Sequence, residues 1–371
     1  MILPTTFISA VLMLVISFVC LGSWVNTFKL TGARWRFELF YIDFAVGAVL
    51  VSVIAAFTLG SLGSDLAFTD RMLVAGRAAQ VFVIAAGAIF NLGNMLLLAA
   101  VSLLGIAGAF PFSIGLALVV ASFFRFGHGN AIMLIAGILL MIVAVVLDGS
   151  ACRLRERMLS KTHAAPKDAA AQRPVQAATA ARSAAPVSTA AKAAPRTTGK
   201  AKARKTGKGL IIGVISGISL GLAYPVAARG LSGDFGLGPY AGMLMIAIGV
   251  LLSTIVLNFY FLNIAIEGGP LKYGAYFRGN ARQHFLGFGG GALWAAGMLA
   301  ALLANSAPAQ AGIKPTVAII VPLASVLLVI FWGVTSWKEF SSGSGHSKLA
   351  LALTTILFLC SVVLLGIGIT L

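Results

Sequence analysis

The chain has 371 residues, of which 59% are hydrophobic and only 10% charged, whereas roughly 25% of a soluble domain is charged. This composition argues against a soluble globular protein and indicates a membrane protein. The formal net charge of +17 would suit a nucleic-acid-binding protein. The positive residues concentrate, however, in one segment that lacks the aromatic side chains on which bases stack, so we expect no nucleic-acid partner.

Apolar runs of about 20 residues, the length needed to cross a bilayer, recur along the chain. Their length and the absence of alternating polarity argue against a transmembrane β-barrel. The first run is a span rather than a signal peptide, since no Lys or Arg precedes it. The sequence thus predicts an all-α integral membrane protein with ten transmembrane helices, at 5–23, 38–60, 79–100, 104–124, 130–148, 209–229, 239–263, 285–304, 315–334 and 348–370.

The segment between the fifth and sixth spans divides the chain into two five-helix halves, 1–149 and 209–371. Residues 150–208 are predicted to be a basic, disordered loop, because 161–205 is mostly Ala, Pro, Thr, Ser, Lys and Arg and has almost nothing to bury. Its basic residues are expected to contact anionic lipid headgroups. Its Gly-Lys pair has the wrong spacing for a phosphate-binding loop.

The distribution of Lys and Arg predicts the orientation in the membrane, because positive residues mark cytoplasmic loops. Between Cys152 and Lys208 lie 14 of the 27 Lys and Arg residues. If this loop is cytoplasmic, both termini are extracytoplasmic. The inner side then holds 22 positive residues and the outer side 5. We therefore expect a multi-pass protein of the plasma (inner) membrane with the 150–208 loop in the cytoplasm.

A short pattern recurs in the two halves. Residues 87–93, Gly-Ala-Ile-Phe-Asn-Leu-Gly, align with residues 291–297, Gly-Ala-Leu-Trp-Ala-Ala-Gly, in the third and eighth spans. The span after each carries an internal proline, Pro111 or Pro322. Five spans per half would invert one half relative to the other, which is a common plan for secondary transporters. Chance similarity between two Gly/Ala-rich helices is the alternative.

Three local motifs, in order, resemble the drug/metabolite transporter superfamily. They are Tyr-Ile-Asp-Phe at 41–44 leading to Thr-Leu-Gly-Ser-Leu-Gly at 58–63, Asn-Leu-Gly-Asn at 91–94, and Phe-Trp-Gly at 331–333 with Trp-Lys-Glu-Phe at 337–340. Within the superfamily the chain is most similar to ureide permeases and the bacterial glucose/rhamnose uptake branch.

This resemblance covers all ten spans and implies proton-coupled transport of allantoin, nucleobases and similar neutral heterocycles, or of sugars. Plant members carry a phosphate-loop-like motif in the central loop, and this chain does not. We therefore expect no nucleotide and no other cofactor.

Asp43, about one turn into the second span, is the clearest candidate for proton coupling. A carboxylate in a span is expensive to keep charged, which suits a group that takes and releases a proton. The alternative is an ion pair with Arg34 or Arg36 at the inner end of the helix. Asp148, beside Arg153 and Arg155 at the end of the fifth span, is interpreted as an interfacial charge.

The candidate substrate-binding residues lie in the third and eighth spans. Asn91 and Asn94 are three residues apart and share a helix face, so their amides could bind a neutral polar ligand. Hydrogen bonding between helices is the equal alternative. Trp294, or Phe90 at the matching position, could stack on a flat ring or a sugar face, or could simply pack in the core or against lipid. Weaker candidates near span ends are Trp24 and Tyr224.

An intramembrane enzyme would need clustered acids, histidines or metal ligands facing one cavity. The sequence places all four histidines in loops, and the three cysteines have no metal-binding or redox spacing. Asn258 is predicted to lie near the inner interface. We therefore expect a secondary transporter of a small neutral polar metabolite and no metal. A non-transporting structural or receptor-like membrane protein is the alternative.

The composition of the basic loop generates a first prediction. Deleting about 30 residues within 165–200 should leave membrane insertion and activity largely intact, because the entropy of closing a flexible loop changes slowly with its length. Protein level in membranes and substrate uptake measure this. Loss of either would show that the loop has a role beyond connecting the two halves.

Overall fold

The computed structural model describes residues 1–63, 65–126, 129–164, 199–233 and 235–371, without the side chains of 160–164 and 199–204. These residues form α-helices and two short 3-10 turns, and none of them forms a strand. In chain order the helices are α1 (Phe7–Ser23), α2 (Val25–Leu30), α3 (Phe37–Phe57), α4 (Phe68–Leu104), α5 (Ile106–Phe123), α6 (Ala131–Ala164), α7 (Gly199–Leu231), α8 (Pro239–Asn263), α9 (Ala281–Asn305), α10 (Pro315–Thr335) and α11 (Gly345–Thr370).

The predicted fold class is confirmed. Ten helices of the described chain are long and apolar enough to cross a membrane. Helices α1 and α2 together make the first, Phe7–Leu30, and α3 to α11 make the second to the tenth. The protein is therefore a multi-pass α-helical membrane protein.

Several helices extend beyond the predicted spans. Helix α4 begins at Phe68 and bends at Gly76, whose φ of +73° interrupts the helical backbone. Helices α6 and α7 reach Ala164 and Gly199, into the segment predicted to be disordered. Lys, Arg, Ala and Leu are good helix formers, and Thr206 of α7 donates a hydrogen bond to Glu156 of α6. The rest of that segment, 165–198, lies outside the described residues.

Each span of the first half corresponds to the span five positions later, in the second half. Helix contacts made by one span recur between the corresponding spans. Helix α4 packs on α7 and α8, and α9 packs on α1 and α3. Likewise α5 packs on α6 and α7, and α10 packs on α11 and α1. The remaining large contacts, α3 with α8, α5 with α10 and α6 with α11, each join two corresponding spans.

Glycines set the closest of these contacts. A Cβ on Gly87 of α4 would overlap the carbonyl of Ile246 in α8, and a Cβ on Gly291 of α9 would overlap that of Phe44 in α3. On the facing helices, Gly249 packs in the same way on α4 and Gly47 on α9. Backbones therefore touch at two matching crossings, as small residues allow in membranes.

The orientation can be tested with cysteines placed in exposed loops. Cys152 is unsuitable because it is only 1% exposed. Gln310, between α9 and α10, and Ser341, between α10 and α11, are exposed. In a background without native cysteines, a membrane-impermeant maleimide should label Gln310→Cys in intact cells, because this loop is predicted to be extracytoplasmic.

Ser341→Cys is the matched control and should react only after the cells are permeabilised. The reverse labelling pattern would overturn the predicted orientation.

Candidate functional site

Asp43 lies at a buried contact between the two halves. It is 8% exposed, and Gly287 of α9 leaves room for its side chain. Its Oδ1 accepts a hydrogen bond from the Tyr276 hydroxyl at 2.5 Å, and its Oδ2 lies 2.9 Å from Nδ1 of His284. A carboxylate from the first half is thus held by a phenol and an imidazole from the second.

The sequence interpretation of this region needs two corrections. His284 lies in the first turn of α9 and not in a loop, because Asn280 caps the helix and starts it earlier than predicted. The alternative partner for Asp43 is also wrong, since Arg36 instead pairs with Glu38 and donates to the Gly269 carbonyl at 2.6 Å. The imidazole could not be predicted because it reaches Asp43 only through the packing of α9 on α3.

Trp35 packs against Tyr276 and His284 of this group, which we call the Asp43 cluster (Asp43, Tyr276 and His284). Its ring lies edge-on to His284 at 5.2 Å and 6.3 Å from Tyr276. Burial and the hydrogen bond to Asp43 raise the pKa of Tyr276 above its ordinary value, so the phenol keeps its proton and remains a donor. The His284 side chain is 29% exposed and Tyr276 is also partly exposed, so water reaches the cluster from the side of the second half.

The sequence singled out Asp43 as the acid within a span, but the structure buries two further acids. Glu38 is fully buried with Arg36 as its partner. Asp148, interpreted as interfacial, is also fully buried. Helix α6 continues past Asp148 instead of ending there, and this places the carboxyl among packed helices.

Asn91 and Asn94 both bond to neighbouring helices. The Asn91 amide nitrogen donates to the Val250 carbonyl at 3.1 Å and to the hydroxyls of Ser253 and Thr254 at 2.8 and 3.0 Å. The Asn94 amide donates to the Tyr41 hydroxyl at 2.6 Å. The structure thus realises the interhelical alternative, joining α4 to α8 and to α3.

Two buried amides nevertheless have polar atoms without a partner. The carbonyl oxygen of Asn91 accepts no hydrogen bond, and neither the oxygen nor the nitrogen of Asn258 has a partner. Asn258 is 3% exposed and lies one turn after Thr254 in α8. Unpaired buried amides are costly and call for a reason. Sequence reasoning missed Asn258 because its burial depends on α8 packing against α3 and α4.

Several aromatic rings pack against one another where α1, α3, α4, α5 and α9 meet. Phe90 and Trp294, which occupy matching positions in the two halves, stack with ring centroids 5.0 Å apart. Phe44 lies 5.7 Å from Trp294 and 5.2 Å from Trp24, which also contacts Phe110. Phe44 thus contacts two of the predicted site residues, Trp24 and Trp294. Two others are close by, since Asp43 precedes Phe44 in α3 and Phe90 stacks on Trp294.

The remaining candidate, Tyr224, is 44% exposed on α7 and is not among these contacts. Two clefts lie elsewhere on the molecule. One of about 350 Å³ is bounded by Phe340 and Lys348, and one of about 460 Å³ by Phe7 and Lys314. Neither is lined by the candidate residues.

Comparison with known proteins adds little. No family model and no curated protein matches the sequence. One solved crystal structure of a protein aligns with 95% of this chain and 96% of its own, with a TM-score of 0.48 and 14% sequence identity.

The hydrogen bonds of Asn91 generate a stability prediction. Asn91→Leu keeps the branching at Cγ but removes the links to α8, and should destabilise the fold by roughly 1 kcal/mol, since such bonds in membranes are worth up to about 1.7 kcal/mol. Unfolding in mixed micelles measures this. Asn263→Leu is the control, because that amide is exposed and donates only to Phe259 of its own helix. Equal stability of the two variants would contradict the assignment.

Proposed function

We propose that the protein is a secondary active transporter of a small neutral polar metabolite, driven by protons. The observation that carries the proposal is the Asp43 cluster, in which a buried carboxylate of one half contacts a partly exposed histidine of the other. A carboxylate in this position changes its contacts when it gains or loses a proton. Proton binding is thereby linked to the packing of α3 against α9.

We further propose that the halves are inverted repeats that move against each other. Three observations support this: the recurrence of helix contacts five spans apart, the matching glycine crossings, and the stacking of Phe90 on Trp294. An axis relating the halves would pass close to that stacked pair. Transporters of this plan bind substrate between the repeats, near the midplane.

The substrate is proposed to bind near Asn91, Asn94 and Asn258. Unpaired amide atoms offer both a donor and an acceptor to a ligand without net charge. The rings of Trp294 and Phe90 could separate and stack on a flat or sugar-like ring. Because these side chains are now packed, the ligand can enter only when the halves part.

Ureides, nucleobases and sugars fit this chemistry, and they are the substrates implied by the resemblance to the drug/metabolite transporter superfamily. We propose a location in the plasma membrane, with the basic segment on the cytoplasmic side against anionic headgroups. No cofactor is needed for this mechanism.

Asp43→Asn tests the coupling. The amide imitates the protonated acid, so accumulation driven by a pH gradient should be abolished while exchange of substrate across the membrane persists. Both are measured in proteoliposomes with labelled substrate. The control is Glu267→Gln, because Glu267 is partly exposed and pairs with Lys205 at the surface. Accumulation by Asp43→Asn at the wild-type level would show that Asp43 carries no coupling proton.

The substrate itself can be sought with the same vesicles and a panel of allantoin, nucleobases and sugars. The proposed function requires saturable uptake of at least one of them that depends on Asn94 or Trp294. Binding without uptake would favour the receptor-like alternative.

A further inference from the structure

Asp148 lies in α6 and is not part of the Asp43 cluster. It is fully buried, and neither of its oxygens has a hydrogen-bond partner. The next residue, Gly149, packs toward Phe112 of α5 and Leu210 of α7. A charged carboxylate without hydrogen bonds in such surroundings is very unfavourable, and an acid inside a membrane span indicates a function by default.

Arg155 is the cation whose charge acts on Asp148, and it lies two helical turns further along α6. Its guanidinium is engaged elsewhere. It donates to the Leu104 carbonyl at 2.6 Å and to the Glu339 carbonyl at 3.4 Å, and it lies over the Phe340 ring at 4.8 Å. Asp148 therefore competes with a set of existing contacts for this arginine.

Those contacts belong to a network at the inner ends of the helices. The Glu339 side chain is 6% exposed and pairs with Lys29. Its oxygens also accept from the backbone N–H groups of Ile106 and Ala107, at 2.9 and 2.8 Å, where α5 begins. We call Lys29, Arg155, Glu339 and the 104–107 turn the inner latch. It ties together the ends of α2, α4, α5, α6 and α10.

Among the side chains that the structure describes, few other charges lie on the helices that pack against α6. Helix α5 carries no charged residue. From α7, Lys205 pairs with Glu267, and Lys208 donates to the Ile266 carbonyl. Lys348 of α11 lines the cleft beside Leu351.

Within α6 itself, Glu156 accepts from Thr206. Cys152, one turn from Asp148, is buried against Gly108. Arg153 and Arg157 of α6 are exposed, and Arg155 is the cation whose charge acts on Asp148.

We propose that Asp148 is a second proton-binding site, and that it controls the inner latch through Arg155. With the proton bound, the carboxyl is neutral and Arg155 holds Leu104 and Glu339, as in this structure. When the proton leaves, the buried carboxylate attracts Arg155, the latch loses one of its two cations, and the inner ends of α5 and α6 separate. The latch should therefore loosen as the pH rises.

Cys152 reports on this separation without any knowledge of the substrate. With Cys20 and Cys360 replaced by Ser, the purified protein is treated with N-ethylmaleimide between pH 6 and pH 9. The labelling rate is divided by that of the same protein carrying Asp148→Asn. This ratio should be near one at pH 6 and rise about tenfold by pH 9 as the open population grows. A carboxylate beside a thiol disfavours the reactive thiolate, so its charge alone would lower the ratio.

Two further variants complete the test. Asp148→Glu should keep the pH dependence, and Arg155→Gln should label fast at every pH because its latch is already broken. Asp148→Asn should unfold at the same temperature as the wild type or higher, since it removes a buried acid without a partner. A ratio that stays near one up to pH 9, or clear destabilisation by Asp148→Asn, would overturn the proposal. Neither result depends on Asp43 or on transport, so the proposed function would stand or fall separately.

Discussion

The contacts between the two halves depend on the close approach of helix backbones at two glycine crossings. Gly87 and Gly249 bring α4 against α8, and Gly291 and Gly47 bring α9 against α3. In a bilayer, lipid competes with side chains for apolar contact, so helices gain little from burying leucines against each other. Backbone contact gains dispersion energy that lipid cannot match. It also brings side chains one turn away within hydrogen-bond reach across the interface.

Polar groups use that proximity. Asn91 spans from α4 to α8, and Asn94 reaches Tyr41 in α3. The bonds of Asn91 join the two halves, and the bond of Asn94 joins two helices of the first half, yet the amides of Asn91 and Asn258 retain unpaired atoms. A contact that is tightly packed but incompletely hydrogen-bonded has a reason to open. The same residues can therefore serve structure in one conformation and ligand binding in another, which resolves the competition between the two roles without excluding either.

The buried carboxyls differ in the side chains and backbone groups that contact them. Glu38 has an arginine as its partner, and Glu339 has a lysine with two backbone donors. Asp43 has a phenol and an imidazole, and Asp148 has no hydrogen-bond partner. The ionised forms of Asp43 and Asp148 are therefore compensated less than those of Glu38 and Glu339, because they lack an arginine, a lysine or backbone donors. In the proposed mechanism, Asp43 and Asp148 are the carboxyls that respond to protons.

The sequence by itself determined the class of protein, because the length and polarity of an apolar run are local properties that a bilayer reads directly. It also indicated Asp43, since an acid in such a run stands out without any knowledge of neighbours. Tertiary structure alone decided which residues meet, such as His284 with Asp43 and Phe90 with Trp294. It also decided that Asn258 and Asp148 are buried without hydrogen bonds. These pairings join residues up to 241 positions apart. Helix rotation and end points set them, and neither is encoded in hydropathy, which is nearly uniform around such helices.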